Sequence, residues 1–137
     1  MEFYPVLTGR MLQAALVLVA GPVSYLYLVD YPFSDRTGSN VRPCLVVQCD
    51  RNNARLDNTI VVTITSRTAH ATVEPTELLI DTSTPPGLQS GLLFTSAVQC
   101  HNIVTVDGAF VLRRIGSLPP DMMLHVNECL KSALEIH

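Results

Sequence analysis

Charge is scarce in this sequence. Lys, Arg, Asp and Glu make up 15% of its 137 residues and the formal net charge is −3, so no global electrostatic case for a polyanionic partner exists. No C-x-x-C pair occurs among Cys44, Cys49, Cys100 and Cys129, and the four histidines show no ligand spacing, which argues against a zinc site. No apolar run is long enough for a bilayer span. The most apolar stretch, MLQAALVLVAGPV, is about a dozen residues where about 20 are needed. Residues 68–112 lack Lys and Arg altogether.

What is present is a hydrophobic chain, 47% apolar, of a length suited to one domain with a sizeable core. Its cations are unevenly placed. Arg36, Arg42, Arg51, Arg55 and Arg67 fall within residues 34–67, whereas residues 68–112 carry Glu74, Glu77, Asp81 and Asp107. Two readings stand side by side: a locally basic face that meets phosphates, or an ordinary solvated surface. Cys44 and Cys49 are five apart on one expected strand, on opposite faces, so they cannot bond each other while that strand stays regular. All four cysteines read as reduced thiols in a cytoplasmic protein. Residues 1–23 combine Arg10 with the apolar run and loosely resemble a secretory signal. Glu2 and the lack of a clear cleavage site favour instead an N-terminal extension, an upstream start site or an edge element packed on the domain, with the domain at residues 24–137.

The chain is organised around Ser24–Val47, SYLYLVDYPFSDRTGSNVRPCLVV, which reads as strand, polar loop, strand. Strands are expected at Ser24–Asp30, Cys44–Asp50, Thr59–Thr65, Thr76–Ile80, Leu92–Cys100 and Arg113–Ser117, with Ile103–Val106 extending the fifth or pairing beside it. Arg51–Asn58 and Thr82–Gly91 read as loops. One helix is convincing, Pro120–Leu134, where Met122, Val126, Cys129, Leu130 and Ala133 share a face. Pro119 precedes it in place of a capping Ser or Thr, which weakens its start by about 1 kcal/mol. Short strands with turn signals and one terminal helix give a mainly β protein, a small antiparallel barrel.

Several segments, in order, resemble the MazF/PemK family of toxin ribonucleases: LVDYPFSD…GS…VRPCLVV, VVTITSRT, PTELLID, SAVQCHNIVTVD and RRIGSLPPDMMLHVNECLKSAL, covering about Ser24 to Leu134. The resemblance implies an SH3-like barrel with a C-terminal α-helix, a homodimer, and a cofactor-free, metal-free endoribonuclease acting on single-stranded RNA. It further implies an acidic antitoxin as partner, a cytoplasmic location and no membrane association. Arg42 matches the arginine of the family's Arg-Pro motif at the scissile phosphate. A guanidinium is a poor proton acceptor, so the residue suits charge stabilisation, with proton donation open to it. Thr65 matches the family's functional threonine, although Thr63 replaces a proline there. Gln99 stands where PemK-like members have an arginine, and His101 where they have an acid, so a neutral amide replaces a cation and an imidazole replaces the presumed base.

RNA contacts are expected from Arg36, Ser39, Arg51, Arg55, Arg67, His70, Gln99 and Asn102, with His70 a second candidate base. The plain structural readings remain open at this stage. Arg42 can cap a loop or pair with Asp35, Thr65 can serve packing, and His101 can be a strand-end histidine. Two other functions compete: a binding module that has lost catalysis, and a gyrase-binding toxin on the same barrel. The latter relies on an aromatic C-terminal ending, and this chain has no Trp and ends Leu134-Glu135-Ile136-His137.

Overall fold

A computed structural model describes residues 24–30 and 41–137. The N-terminal extension expected at residues 1–23, together with Arg36 and Ser39, lies outside them.

Six strands form one antiparallel sheet: β1 (Ser24–Asp30), β2 (Val41–Val46), β3 (Asn58–Thr65), β4 (Glu77–Ile80), β5 (Ser96–Asp107) and β6 (Val111–Leu118), in the order β4-β5-β3-β2-β1-β6. The edge strands β4 and β6 do not pair, so the barrel is open along that seam. Among the described residues three α-helices connect or cover it: α1 (Asp50–Arg55), α2 (Pro85–Ser90) and α3 (Pro120–Leu134). The mainly β, SH3-like expectation with a C-terminal helix therefore holds, in the form of an open barrel.

Alternation along the strands divides the core in two. Leu26, Leu45, Val62, Ile64, Val98 and Leu118 belong to one cluster, which Val126 and Cys129 of α3 complete. Tyr27, Val29, Cys44, Val46, Val61 and Val111 form a second on the alternate positions. The apolar face expected for α3 is the face it buries: Val126 is inaccessible, and Met122 and Leu130 pack beside it. Pro119 makes no side-chain capping bond, as its chemistry requires.

Two expected loops are partly helical, for different reasons. Arg51–Asn58 read as a turn because it is polar, but Asn53 is fully buried and anchors α1. Its Oδ1 accepts from Gln48 Nε2 at 2.9 Å and from Thr59 Oγ1 at 2.8 Å, and its Nδ2 donates to the Gln48 carbonyl at 3.1 Å. A polar residue in that setting organises a helix rather than solvating a loop. In consequence β2 ends at Val46, and exposed Cys49 precedes α1 instead of sharing a strand with Cys44.

In Thr82–Gly91 the prolines and glycines are helix start and stop signals. Thr84 Oγ1 accepts from Gly87 N, Pro85 opens α2, and Gly91 ends it at φ 75°. A side chain at Gly91 would also meet the Ile115 carbonyl, its Cβ only 1.9 Å away, so α2 lies tight against β6 beside the open seam. The fifth strand is displaced as well. Leu92–Thr95 is not strand, and Ser96–Asp107 runs as one element that includes Ile103–Val106.

Candidate active site

Two cavities open at the end of the sheet where β1 and β3 finish and β2, β5 and β6 begin. One, about 860 Å³, has Leu28, Leu92, Leu93, Phe94 and Ile115 in its wall, together with Arg113 and Arg114. The other, about 830 Å³, is lined by Arg67, His70 and Glu77. Arg42, Thr65 and Gln99 line both. Each volume suits a nucleotide-sized ligand.

Strand register explains the convergence. Glu77 of β4 lies opposite Gln99 of β5, Gln99 opposite Thr63 of β3, and Thr63 opposite Cys44 of β2. Directly opposed residues share a sheet face. Arg42 and Thr65 stand two positions from Cys44 and Thr63, on the same face, and continuing the β2–β3 register sets them across from each other. Arg42 donates from Nη1 to the Val41 carbonyl at 3.1 Å. Thr65 Oγ1 accepts from Arg67 N at 3.1 Å, which ties the following turn to the strand end.

An irregularity in β5 sorts the remaining candidates. Thr63 pairs with Gln99 but Val62 with Ile103, so Cys100–Asn102 bulge out of the ladder. Asn102 Nδ2 thereby reaches Thr63 Oγ1 at 2.8 Å, and that hydroxyl donates to Gln99 Oε1 at 2.9 Å. With its oxygen occupied, Gln99 is left with Nε2 donors at the junction of the two cavities. His101 goes elsewhere. It is exposed, its Nδ1 is 3.2 Å from Thr76 Oγ1, and it lines neither cavity. The structure thus groups Arg42, Thr65, Gln99, Arg67 and His70 in one cavity and Asn102 in the adjoining one, without His101.

The expected basic face divides. Arg51 and Arg55 lie on α1, beyond the far end of β2 from Arg42, and line neither cavity; Arg55 bonds Asn52 Oδ1 at 2.9 Å. Sequence reasoning passed over their replacements, Arg113 and Arg114 of β6, because they lie far along the chain from the other arginines. Arg114 stacks on Tyr25 at 4.5 Å from the ring centroid. Glu77 and the apolar wall of Leu92, Leu93 and Phe94 were also missed. Leu93 and Phe94 are 86% and 69% exposed, an apolar display that follows the αL stop at Gly91.

The three buried cysteines, Cys44, Cys100 and Cys129, are poor nucleophiles. Burial pushes the Cys44 and Cys100 thiols up to about 12, and raises Cys129 as well. Among the described residues no cluster of His, Cys, Asp and Glu suits a metal ion, and no helix is long and apolar enough to cross a membrane.

Comparison with known proteins fits this architecture. Over residues 25–134 the chain matches the family described as PemK-like, MazF-like toxin of type II toxin-antitoxin system. No curated protein sequence matches significantly. Among solved structures, the Mycobacterium tuberculosis toxin MazF-mt6 superposes with a TM-score of 0.66 at 22% identity, covering 82% of this chain and 98% of that one. A mycobacterial endoribonuclease in complex with its cognate antitoxin gives 0.65 at 21%, covering 82% and 93%. A MazE-MazF structure from Deinococcus radiodurans gives 0.60 at 20%, again covering 82% and 93%. At these identities the likeness is one of fold, while the family match spans nearly the whole described domain. The chain belongs to the PemK-like, MazF-like toxins of type II toxin-antitoxin systems.

Proposed function

We propose that this chain is a metal-independent endoribonuclease that cleaves single-stranded RNA, mRNA included, and so arrests growth. The observation that carries the reading is that Arg42 and Thr65 both line the two nucleotide-sized cavities, in a chain of this toxin family. The relatives titled endoribonuclease support it.

Arg42 stabilises the charged, five-coordinate phosphorus with its planar fork of donors, and Thr65 and the Gln99 amide donate to phosphate oxygens. The 2′-oxygen attacks phosphorus and the 5′-oxygen leaves, giving a 2′,3′-cyclic phosphate and a 5′-hydroxyl. Arg67 and His70 attract the strand at one cavity, Arg113 and Arg114 at the other, and Phe94 offers a stacking surface for a base. His101, at the bulge, serves as an outer RNA contact in this reading. We further propose a cytoplasmic homodimer, neutralised by an acidic antitoxin, with residues 24–137 as the toxin domain.

The test is incubation of the purified chain with a long single-stranded RNA in the presence of a chelator. Cleavage with 5′-hydroxyl ends is expected. One feature favours a second reading, a binding module without catalysis: Gln99 is neutral where the resemblance to PemK-like members implies an arginine. RNA binding without any cleavage would establish that reading instead. Inhibition of gyrase without RNA cleavage would point to the third.

A further inference from the structure

We propose that Glu77 is the proton acceptor of the cleavage step. The inference rests on the ribonuclease reading above and identifies a group that reading leaves open. An acceptor must lie within reach of the 2′-OH while the adjacent phosphate is held by Arg42. Among the residues that line the cavity with Arg42, Thr65 and Gln99, two side chains can accept a proton at neutral pH, Glu77 and His70.

Their supports differ. His70 is exposed, on a turn whose backbone closes with Val73 and Glu74 N–H groups on the His70 carbonyl at 3.1 and 2.8 Å. Glu77 is partly buried and opens β4 directly opposite Gln99. Its carbonyl accepts from the Cys129 thiol of α3 at 3.7 Å, and its N–H donates to the Glu74 carbonyl at 3.2 Å, so strand, helix and turn all fix its backbone. A group on a packed strand is held more closely than one on an exposed turn. The charged and titratable groups facing this cavity with Glu77 are Arg42 from β2 and Arg67 and His70 from the β3–β4 turn.

The step balances without a further reagent. A Glu77 carboxylate oxygen takes the 2′-OH proton as the O2′–P bond forms. The P–O5′ bond breaks with its electron pair on O5′, which takes a proton from water. Glu77 then returns its proton to solvent.

The experiment uses the full chain and one long single-stranded RNA, with cleavage rate followed across about pH 5 to 9 and RNA binding measured separately. A carboxylate acceptor gives no rate step between about pH 6 and 7, whereas an imidazole gives one near about 6.5. Glu77→Gln should slow cleavage on the order of 10²-fold or more while RNA binding stays within about threefold of the parent. Glu77→Asp should keep a measurable part of the rate, and His70→Asn and His101→Asn should leave the profile flat. Two results overturn the assignment while leaving the ribonuclease reading intact. One is a Glu77→Gln protein that cleaves as fast as the parent. The other is a step near pH 6.5 in the parent's rate at saturating RNA, where binding no longer contributes, that either histidine variant abolishes, a result that does not depend on the folding of any Glu77 variant. A parent that cleaves no RNA overturns both.

Discussion

The two ends of this sheet use similar residues to opposite purposes. At the end closed by α1, Asn53, Gln48 and Thr59 bond one another and the backbone, and they are almost wholly buried. At the other end Thr63, Gln99 and Asn102 also form a chain of bonds, but Gln99 keeps donors at a cavity. Arginines divide the same way. Arg51 and Arg55 sit on the outside of α1, while Arg42, Arg67, Arg113 and Arg114 surround open space. A polar network whose bonds are spent internally stabilises the fold, and one that retains spare donors beside a cavity can bind.

The largest effect that tests this contrast belongs to Arg42. Arg42→Ala should reduce RNA cleavage about 10²- to 10³-fold, as expected for loss of a charged transition-state contact, with little change in melting temperature. A folded Arg42→Ala protein with full activity would show that the cavity junction is not the reacting centre. Asn53→Ala should do the reverse. It strands the Gln48 and Thr59 partners in a buried site and should cost about 2–3 kcal/mol of stability, read by denaturant titration, with the activity of the folded fraction unchanged.

Phe94→Ala probes the apolar cavity alone. Losing a stacked base should weaken RNA binding by about 1–2 kcal/mol with little effect on the rate at saturation. Equal losses in binding and rate would erase the proposed division between the cavities.

A smaller effect concerns the buried thiols. Burial holds the folded Cys44 pKa at about 12 against an ordinary 9.0, so the stability it supports is complete below 9 and is lost as pH rises toward 12. At pH 10 the loss from Cys44 alone should be about 1 kcal/mol. Cys100 acts in the same direction. Thiol labelling at pH 8 should accordingly modify exposed Cys49 rapidly and the other three cysteines only on unfolding.

The smallest effect is expected from replacing Arg51 and Arg55 together by Ala. RNA affinity should change by less than about 0.5 kcal/mol and its salt dependence should be unaltered. Arg67→Ala should instead reduce the salt slope by about 0.7, the contribution of one phosphate contact on a single strand. A loss of salt dependence in the α1 variant would restore the continuous basic face suggested by the sequence.

Much of the fold was legible from local pattern. Ser24–Asp30 has the bounds its Tyr, Leu and Val content predicts, because it is a strand buried on both faces, and Pro120–Leu134 has the bounds its periodicity predicts, because its spacing records the one face it buries. The ends of β3 and β6 moved by two residues at most, from Thr59–Thr65 to Asn58–Thr65 and from Arg113–Ser117 to Val111–Leu118. Short helices were missed where local chemistry was ambiguous. Polarity hid the burial of Asn53, and the Thr84-Pro85-Pro86 start with the Gly91 stop resembled loop punctuation.

The sequence by itself determined that this is a mainly β toxin-family domain ending in an amphipathic helix, because composition, period and motif order are properties of neighbours along the chain. Only the tertiary structure decided which polar groups meet. The register across four strands brings Glu77, Gln99, Thr63 and Arg42 to one face although they are spread over nearly sixty positions. The bulge at Cys100–Asn102 then turns Asn102 toward Thr63 and His101 toward Thr76. A period-two reading cannot contain that outcome, because a bulge breaks the alternation on which such a reading depends.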